Sequence, residues 1–185
     1  MNTVITSKEA ILDISRQLVR EKGLGAVNIR TIAAACGVSV GSIYNYFCSK
    51  SDLVMATIES IWQDIFHDSK QDSEFLDFTE CIQWIFDCLK AGSEKYPCFF
   101  TSHSISLLEE EKSDGQKRMA QSWEHIQKGL SSVLTHDRKV RPDAFDEIFT
   151  PQKFTDTIFS FILSSLLRQN YDAGTILEMV KRTIY

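Results

Sequence analysis

An all-α fold is predicted by three observations on this 185-residue sequence. It holds only three prolines and eight glycines, so the turn punctuation of an all-β chain is missing. Long segments carry apolar residues at helical spacing, and no alternating strand–helix pattern is present. At 43% hydrophobic residues the chain has enough apolar material for a substantial core. About nine helices are expected.

Helix one runs from about Ser7 to Lys22, capped by Ser7, with Ile11, Ile14, Leu18 and Val19 inward. Gly23-Leu24-Gly25 ends it. Asn28 caps a second helix that reaches about Cys36, with Ile29, Ile32 and Ala33 as its apolar stripe. The small side chains of Ala33, Ala34 and Ala35 let another helix approach closely. Gly37 stands where that helix must stop, since a residue just past a helix often needs φ > 0. Val38 plugs the turn into the core. Ser39 caps a third helix in which Ile43 and Phe47 share a buried face. Its other faces carry Val40, Gly41, Ser42, Tyr44, Asn45 and Tyr46, small or hydrogen-bonding groups suited to a groove. Two short helices joined by a tight turn over 28–47 form the pattern of a helix-turn-helix DNA reader. Gly41 inside a helix costs about 1 kcal/mol against alanine, and close backbone approach to DNA would account for it.

Ser49 to Asp52 open a fourth, amphipathic helix through Leu53, Ile58, Ile61, Trp62, Ile65 and Phe66. The polar stretch 67–74 reads as a loop and a domain boundary. A fifth helix from about Phe75 to Lys95 is apolar at Phe78, Ile82, Ile85, Phe86 and Leu89. Tyr96-Pro97 stops it, because proline disfavours helix at the residue before it. A sixth segment spans 98–111, and a seventh runs from Asp114-Gly115 to about Thr135. The eighth helix is expected over Gln152 to Asn170, and the last from Asp172 or Gly174 to Tyr185. In the eighth, Phe154, Ile158, Phe159, Phe161, Ile162, Leu163, Leu166 and Leu167 cover more than one face. A second subunit is the simplest cover, with Phe154, Ile158, Phe161, Ile162 and Leu166 as candidate dimer-interface residues.

The order Gly37-Val38-Ser39, Gly41, Ile43-Tyr44, Tyr46-Phe47, Lys50, Asp52-Leu53 resembles the DNA-binding domain of the tetracycline-repressor (TetR) family. Ile11 and Gly23 extend the match, which covers roughly residues 5–65. Cys36 departs from the family's usual alanine. Val40 departs from a frequent lysine or polar residue, which puts one phosphate contact in doubt.

The resemblance implies an N-terminal three-helix helix-turn-helix domain over 5–65 and a C-terminal helical domain over 66–185 for effector binding and dimerisation. It implies that the last two long helices pair across a two-fold axis. The axis would set two readers about 34–36 Å apart on a palindromic operator. It also implies residue roles. Tyr44, Tyr46 and Lys50 contact phosphates, and Asn28 and Arg30 touch the backbone or a base edge. Ser39, Val40, Gly41, Ser42 and Asn45 face the major groove. Asn45 suits adenine, and Val40 suits a thymine methyl. The family default is a cytoplasmic repressor that a small molecule releases from double-stranded DNA by population shift, with no cofactor.

The effector domain is less readable. Trp84, Phe86, Tyr96, Phe99, Phe100, Trp123 and Phe159, with Cys88, His103 and Ser122 as polar anchors, are candidates to line a mostly apolar pocket, with Trp84, Cys88, Phe99, Phe100, His103, Trp123 and Phe159 foremost. Aromatics at helical spacing serve a core equally well.

Charge is uneven. Residues 1–56 hold six basic side chains (Lys8, Arg16, Arg20, Lys22, Arg30, Lys50) and four acidic ones (Glu9, Asp13, Glu21, Asp52). That local excess of +2 sits in a chain of net charge −5, compatible with a DNA-binding head on an acidic body. Five cysteines, at 36, 48, 81, 88 and 98, form no Cys-x-x-Cys pair, so zinc and thioredoxin-like readings fail. Reduced cytosolic thiols are expected, with Cys81 and Cys88 either core residues or a thiol sensor. Met1 to Thr6 lack the pattern of a signal peptide, and no apolar run is long enough for a membrane span. Gly37-Val38-Ser39-Val40-Gly41 spells the Gly-x-Ser-x-Gly of serine hydrolases. That elbow needs a preceding strand, and here an alanine-rich helix precedes it. The remaining alternative is a family-like protein that acts mainly through a protein partner.

Overall fold

The computed structural model describes residues 7–67, 75–97, 99–100 and 126–185, and regular structure among them is helical throughout. The helices are α1 (Lys8–Lys22), α2 (Ile29–Cys36), α3 (Val40–Tyr44), α4 (Lys50–His67) and α5 (Phe78–Lys95), then α6 (126–136), α7 (Pro151–Leu167) and α8 (Gly174–Ile184). A single 3-10 turn, Leu24–Ala26, separates α1 from α2. Most of the sixth and seventh expected segments lies outside the described residues.

The chain divides into two compact units. The first comprises 1–65 together with 93–119, and the second 66–92 together with 120–185. In the first unit Ile11, Val19, Ile32, Ile43, Phe47, Leu53 and Ile61 are almost wholly buried. Ile14 and Val38 are only half-buried. The unit also takes in the residues after α5. There the Trp62 ring meets Phe99 at 5.8 Å and Phe100 at 5.4 Å, an edge-on and a tilted contact.

In the second unit Phe78, Ile82, Phe86, Leu130, Ile158, Val180 and Ile184 form the core. Phe154 joins rings with Phe78, Phe145 and Phe149 at 5.7–5.9 Å. The start of α5 is held by distant partners. The Phe78 amide donates to Asp137 at 2.8 Å and to the Tyr185 hydroxyl at 3.1 Å, and that hydroxyl donates to Asp137. Burial, then the Asp137 carboxylate, pushes the Tyr185 phenol up, so it stays protonated.

Two helix ends differ from the sequence reading, each for a local reason. The fifth helix opens at Phe78 instead of Phe75 because Asp77 takes the capping position, accepting from the Glu80 amide at 2.9 Å and the Thr79 hydroxyl at 2.6 Å. The helix expected over Gln152 to Asn170 spans Pro151–Leu167. Thr150 caps it, and Pro151 is tolerated at the first position, where no amide hydrogen is needed. It ends early because Gln169 adopts φ 52°, left-handed backbone that non-glycine residues rarely take.

Asp77 gives the second unit a pH signature. Burial raises its carboxyl, but Lys139 at 2.7 Å, the Thr79 hydroxyl and the Glu80 amide outweigh that and hold it at about 2, below the ordinary 3.8. A carboxyl depressed by folding stabilises above its unfolded pKa, and that stability is lost as pH falls through the folded value. Asp77→Asn should therefore be less stable than the parent near neutral pH. The gap should close between about pH 4 and 2. Denaturation midpoints measured across that window test this, and a gap independent of pH would rule it out.

Candidate nucleic-acid interface

The α2–turn–α3 segment is fixed by local hydrogen bonds that its own sequence supplies. The Asn28 side chain accepts from the Thr31 amide at 3.0 Å and donates to the Thr31 hydroxyl at 2.7 Å and the Ala26 carbonyl at 3.3 Å. Its polar atoms are therefore already engaged in starting α2. At the other end Gly37 adopts φ 66°, ψ 28°. The Val38 amide reaches back to the Ala33 carbonyl at 3.0 Å and the Gly37 amide to Ala34 at 3.2 Å, the paired closure of a Schellman motif. Ser39 then caps α3 by accepting from the Ser42 amide at 3.1 Å. The same pattern opens α4: the Asp52 amide donates to Ser49 Oγ at 3.0 Å, and the Asp52 carboxylate accepts from the Cys48 amide at 3.0 Å.

α3 is only five residues long, Val40–Tyr44, yet it is firmly seated. Ile43 and Phe47 are 0% and 1% exposed. The outward side is correspondingly open. Ser39, Gly41, Asn45 and Lys50 are exposed, as is Arg30 at the start of α2. Tyr44, Val40 and Tyr46 are 51%, 41% and 39% exposed, unusual for large apolar or aromatic residues. Ser42 is half-buried, its hydroxyl 2.9 Å from that of Ser39. An added Cβ at Gly41 would meet only Ser39 Oγ, at 3.7 Å, so packing within the chain does not demand glycine there.

The first unit also holds a polar cluster that sequence reading missed. Tyr96 is fully buried; its hydroxyl donates to Asp64 at 2.5 Å and accepts from Arg20 at 3.0 Å. Arg20 also covers the Tyr96 ring, 5.0 Å from its centroid, and Lys95 pairs with Asp64 at 2.9 Å. Burial and the Asp64 hydrogen bond push the Tyr96 phenol up to about 12. Burial opposes ionisation of Asp64, but Tyr96, Lys95 and Arg20 together leave its carboxyl below the usual range. The cluster ties α1 to α4 and to the end of α5. Nothing local in the sequence signals it, because Arg20 and Tyr96 lie 76 residues apart.

The candidate pocket residues are distributed. Trp84 is half-buried and meets the Phe66 and Phe75 rings at 5.6 and 5.4 Å, while Cys88 and Phe159 are buried, all in the second unit. Phe99 and Phe100 are buried in the first unit. His103, Ser122 and Trp123 lie outside the described residues. A cleft of about 460 Å³ opens between α6 and the start of α7, lined by Gln127, Lys128, Ser131, Ser132, Thr135, His136 and Gln152. None of the candidate pocket residues lines it. Cys81 and Cys88 are both buried, and burial, then Glu80, pushes the Cys81 thiol up to about 12, the opposite of a reactive thiolate. Among the described residues no cluster of His, Cys, Asp or Glu is arranged to hold a metal, and no helix is long and apolar enough to cross a membrane.

Residues 11–57 match the family model described as bacterial regulatory proteins, tetR family. Over that segment the chain is similar to the tetR family. The matched segment holds the whole reader, from the Ile11 core position through the Asp52 cap. Among curated proteins the chain is similar to the HTH-type transcriptional repressor KstR2 of Rhodococcus jostii RHA1. It is 39% identical over 56 residues, which are 30% of this chain and 28% of that protein. The chain thus aligns with less than a third of that relative's length. An HTH-type transcriptional regulator from the lacX 3′ region of Lactococcus lactis is 27% identical over 135 residues, 70% of this chain and 68% of that one. Two solved structures share the fold of this chain over nearly the whole length. The fatty acid degradation regulator FadR from Bacillus halodurans has TM-score 0.65 at 16% identity, covering 95% of this chain and 96% of that one. FadR from Bacillus subtilis, in complex with stearoyl-CoA, has TM-score 0.64 at 17% identity, covering 97% and 100%.

Proposed function

We propose that this chain is a ligand-responsive transcriptional regulator that binds a palindromic operator as a dimer, represses from it, and is released by a small molecule. The reading is carried by the outward side of α3: capped at Ser39, seated by Ile43 and Phe47, and open at Val40, Gly41, Tyr44, Asn45 and Tyr46. A rigid element with polar and aromatic groups aimed outward is what major-groove readout requires. Ser39, Val40, Gly41, Ser42 and Asn45 are the proposed groove residues. Tyr44, Tyr46, Arg30 and Lys50 are the proposed phosphate contacts, and Asn28 acts mainly as the cap that sets them.

The proposed dimer surface lies on α7. Phe154, Ile158, Ile162 and Leu166 are 2–5% exposed and covered by the chain's own core. What α7 offers a second copy is therefore the opposite stripe, where Thr157, Ser160, Ser164 and the 52%-exposed Leu167 flank the half-buried Phe161. Small hydroxyl residues beside two apolar ones allow helices to pack closely. Because the FadR structure of similar fold holds stearoyl-CoA, a long-chain acyl thioester is the first effector to try.

Selection of the purified protein against a random duplex library at moderate salt tests the reading. A recovered palindrome is expected, and weak binding without a motif would overturn operator recognition. Gly41→Ala gives a sharper check. Removing a helix glycine should raise stability by about 0.5–1 kcal/mol. The added methyl group should lower affinity for the selected operator. A variant that gains stability and binds operator equally well would show that Gly41 makes no close approach to DNA.

A further inference from the structure

We infer that Lys8 is an additional phosphate-contacting residue, presented beside the reader by Phe47; this rests on the DNA-binding reading above. The Lys8 ammonium lies over the Phe47 ring, 5.8 Å from its centroid. Phe47 directly follows Tyr46 and stands three residues before Lys50, so Lys8 brings a cation from α1 to the end of the reader segment. Most other cations of α1 are engaged or well placed. Arg16 pairs with Asp13, Arg20 pairs with Asp64, and Lys22 lies in the last turn, where the helix dipole favours positive charge. Lys8 is exposed, has no ion pair among the described residues, and stands in the first turn, where the dipole disfavours a cation. Lys50 shares all three traits at the start of α4. A cation that gains so little from its own fold, parked on an aromatic ring next to the reader, has its natural partner in an external anion. The polyanion that the reader approaches supplies one.

The contact is independent of base sequence, so a labelled mixed-sequence duplex of about three helical turns is a sufficient probe. Binding of the full-length chain is measured across a series of salt concentrations. Lys8→Met keeps the apolar stem over Phe47 and removes only the charge. It should weaken binding several-fold at low salt and reduce the slope of log K against log salt by about 0.9 per chain. Lys8→Arg should restore both. Denaturation midpoints are recorded alongside and should not fall for Lys8→Met. An unchanged slope and affinity in Lys8→Met, with parent binding intact, overturns the Lys8 contact alone. Lost affinity accompanied by a lowered midpoint also overturns it, because Lys8 would then serve only to cover Phe47. A well-folded parent that binds neither this duplex nor any selected one overturns the DNA-binding reading and this inference with it.

Discussion

Phe47→Ala should destabilise the first unit by about 3–5 kcal/mol and abolish DNA binding under ordinary assay conditions. The ring is 1% exposed, the Phe47 amide donates to the Ile43 carbonyl at 3.1 Å, and the side chain anchors the end of α3. α3 itself has five residues, far below the length at which a helix persists without tertiary support. Losing the anchor therefore removes more than a volume of carbon. It frees the backbone on which Tyr44, Asn45 and Tyr46 are mounted. Against a typical total stability of about 5–15 kcal/mol, a loss of this size populates the unfolded reader measurably. Denaturant titration followed by circular dichroism checks it, with Phe47→Leu as a milder control costing under about 1.5 kcal/mol. A Phe47→Ala loss below about 1 kcal/mol would mean that the pocket collapses around the gap and that the ring is not the anchor.

The second large effect separates positioning from reading. Tyr44→Phe, removing one exposed hydroxyl, should weaken specific and random duplexes by the same factor. Asn45→Ala should leave random DNA almost unaffected and relax preference at one base by about 1–3 kcal/mol. Both side chains are exposed and follow one another on the same short segment, so neither substitution should disturb the core. Parallel binding curves on the selected operator, its single-base variants and a mixed-sequence duplex give the answer. If the two variants lose affinity equally on every duplex, the assignment of Asn45 to base readout is wrong.

What the chain discloses in advance depends on the reach of each interaction. The caps at Asn28 and Ser39 and the left-handed Gly37 were readable because their partners lie within five residues. Ile43 and Phe47 were readable from a spacing of four. The Asp64 cluster and the Phe78–Asp137–Tyr185 junction were not, since Asp64 lies 32 residues from Tyr96 and Phe78 lies 107 from Tyr185. The end of α7 was misjudged because the left-handed position is filled by Gln169 in place of a glycine. An apolar surplus on α7 was visible, but the spacing does not tell which flank the chain covers itself. Here Phe154, Ile158, Ile162 and Leu166 turn inward and Phe161 lies at the margin.

The discontinuous first unit bears on how readers of this kind can be exchanged between proteins. A chimera joined at residue 65 would carry α1 to α3 and most of α4 away from Tyr96, Phe99 and Phe100, which belong to the same unit. Arg20 and Asp64 would meet a foreign surface, with a carboxylate deprived of the hydroxyl that holds it, and Trp62 would lose two aromatic neighbours. Transplanting operator preference is better done by exchanging the outward side chains of α3 alone, or by moving the segment around Tyr96 together with the reader. The portable module is larger than the motif that advertises it.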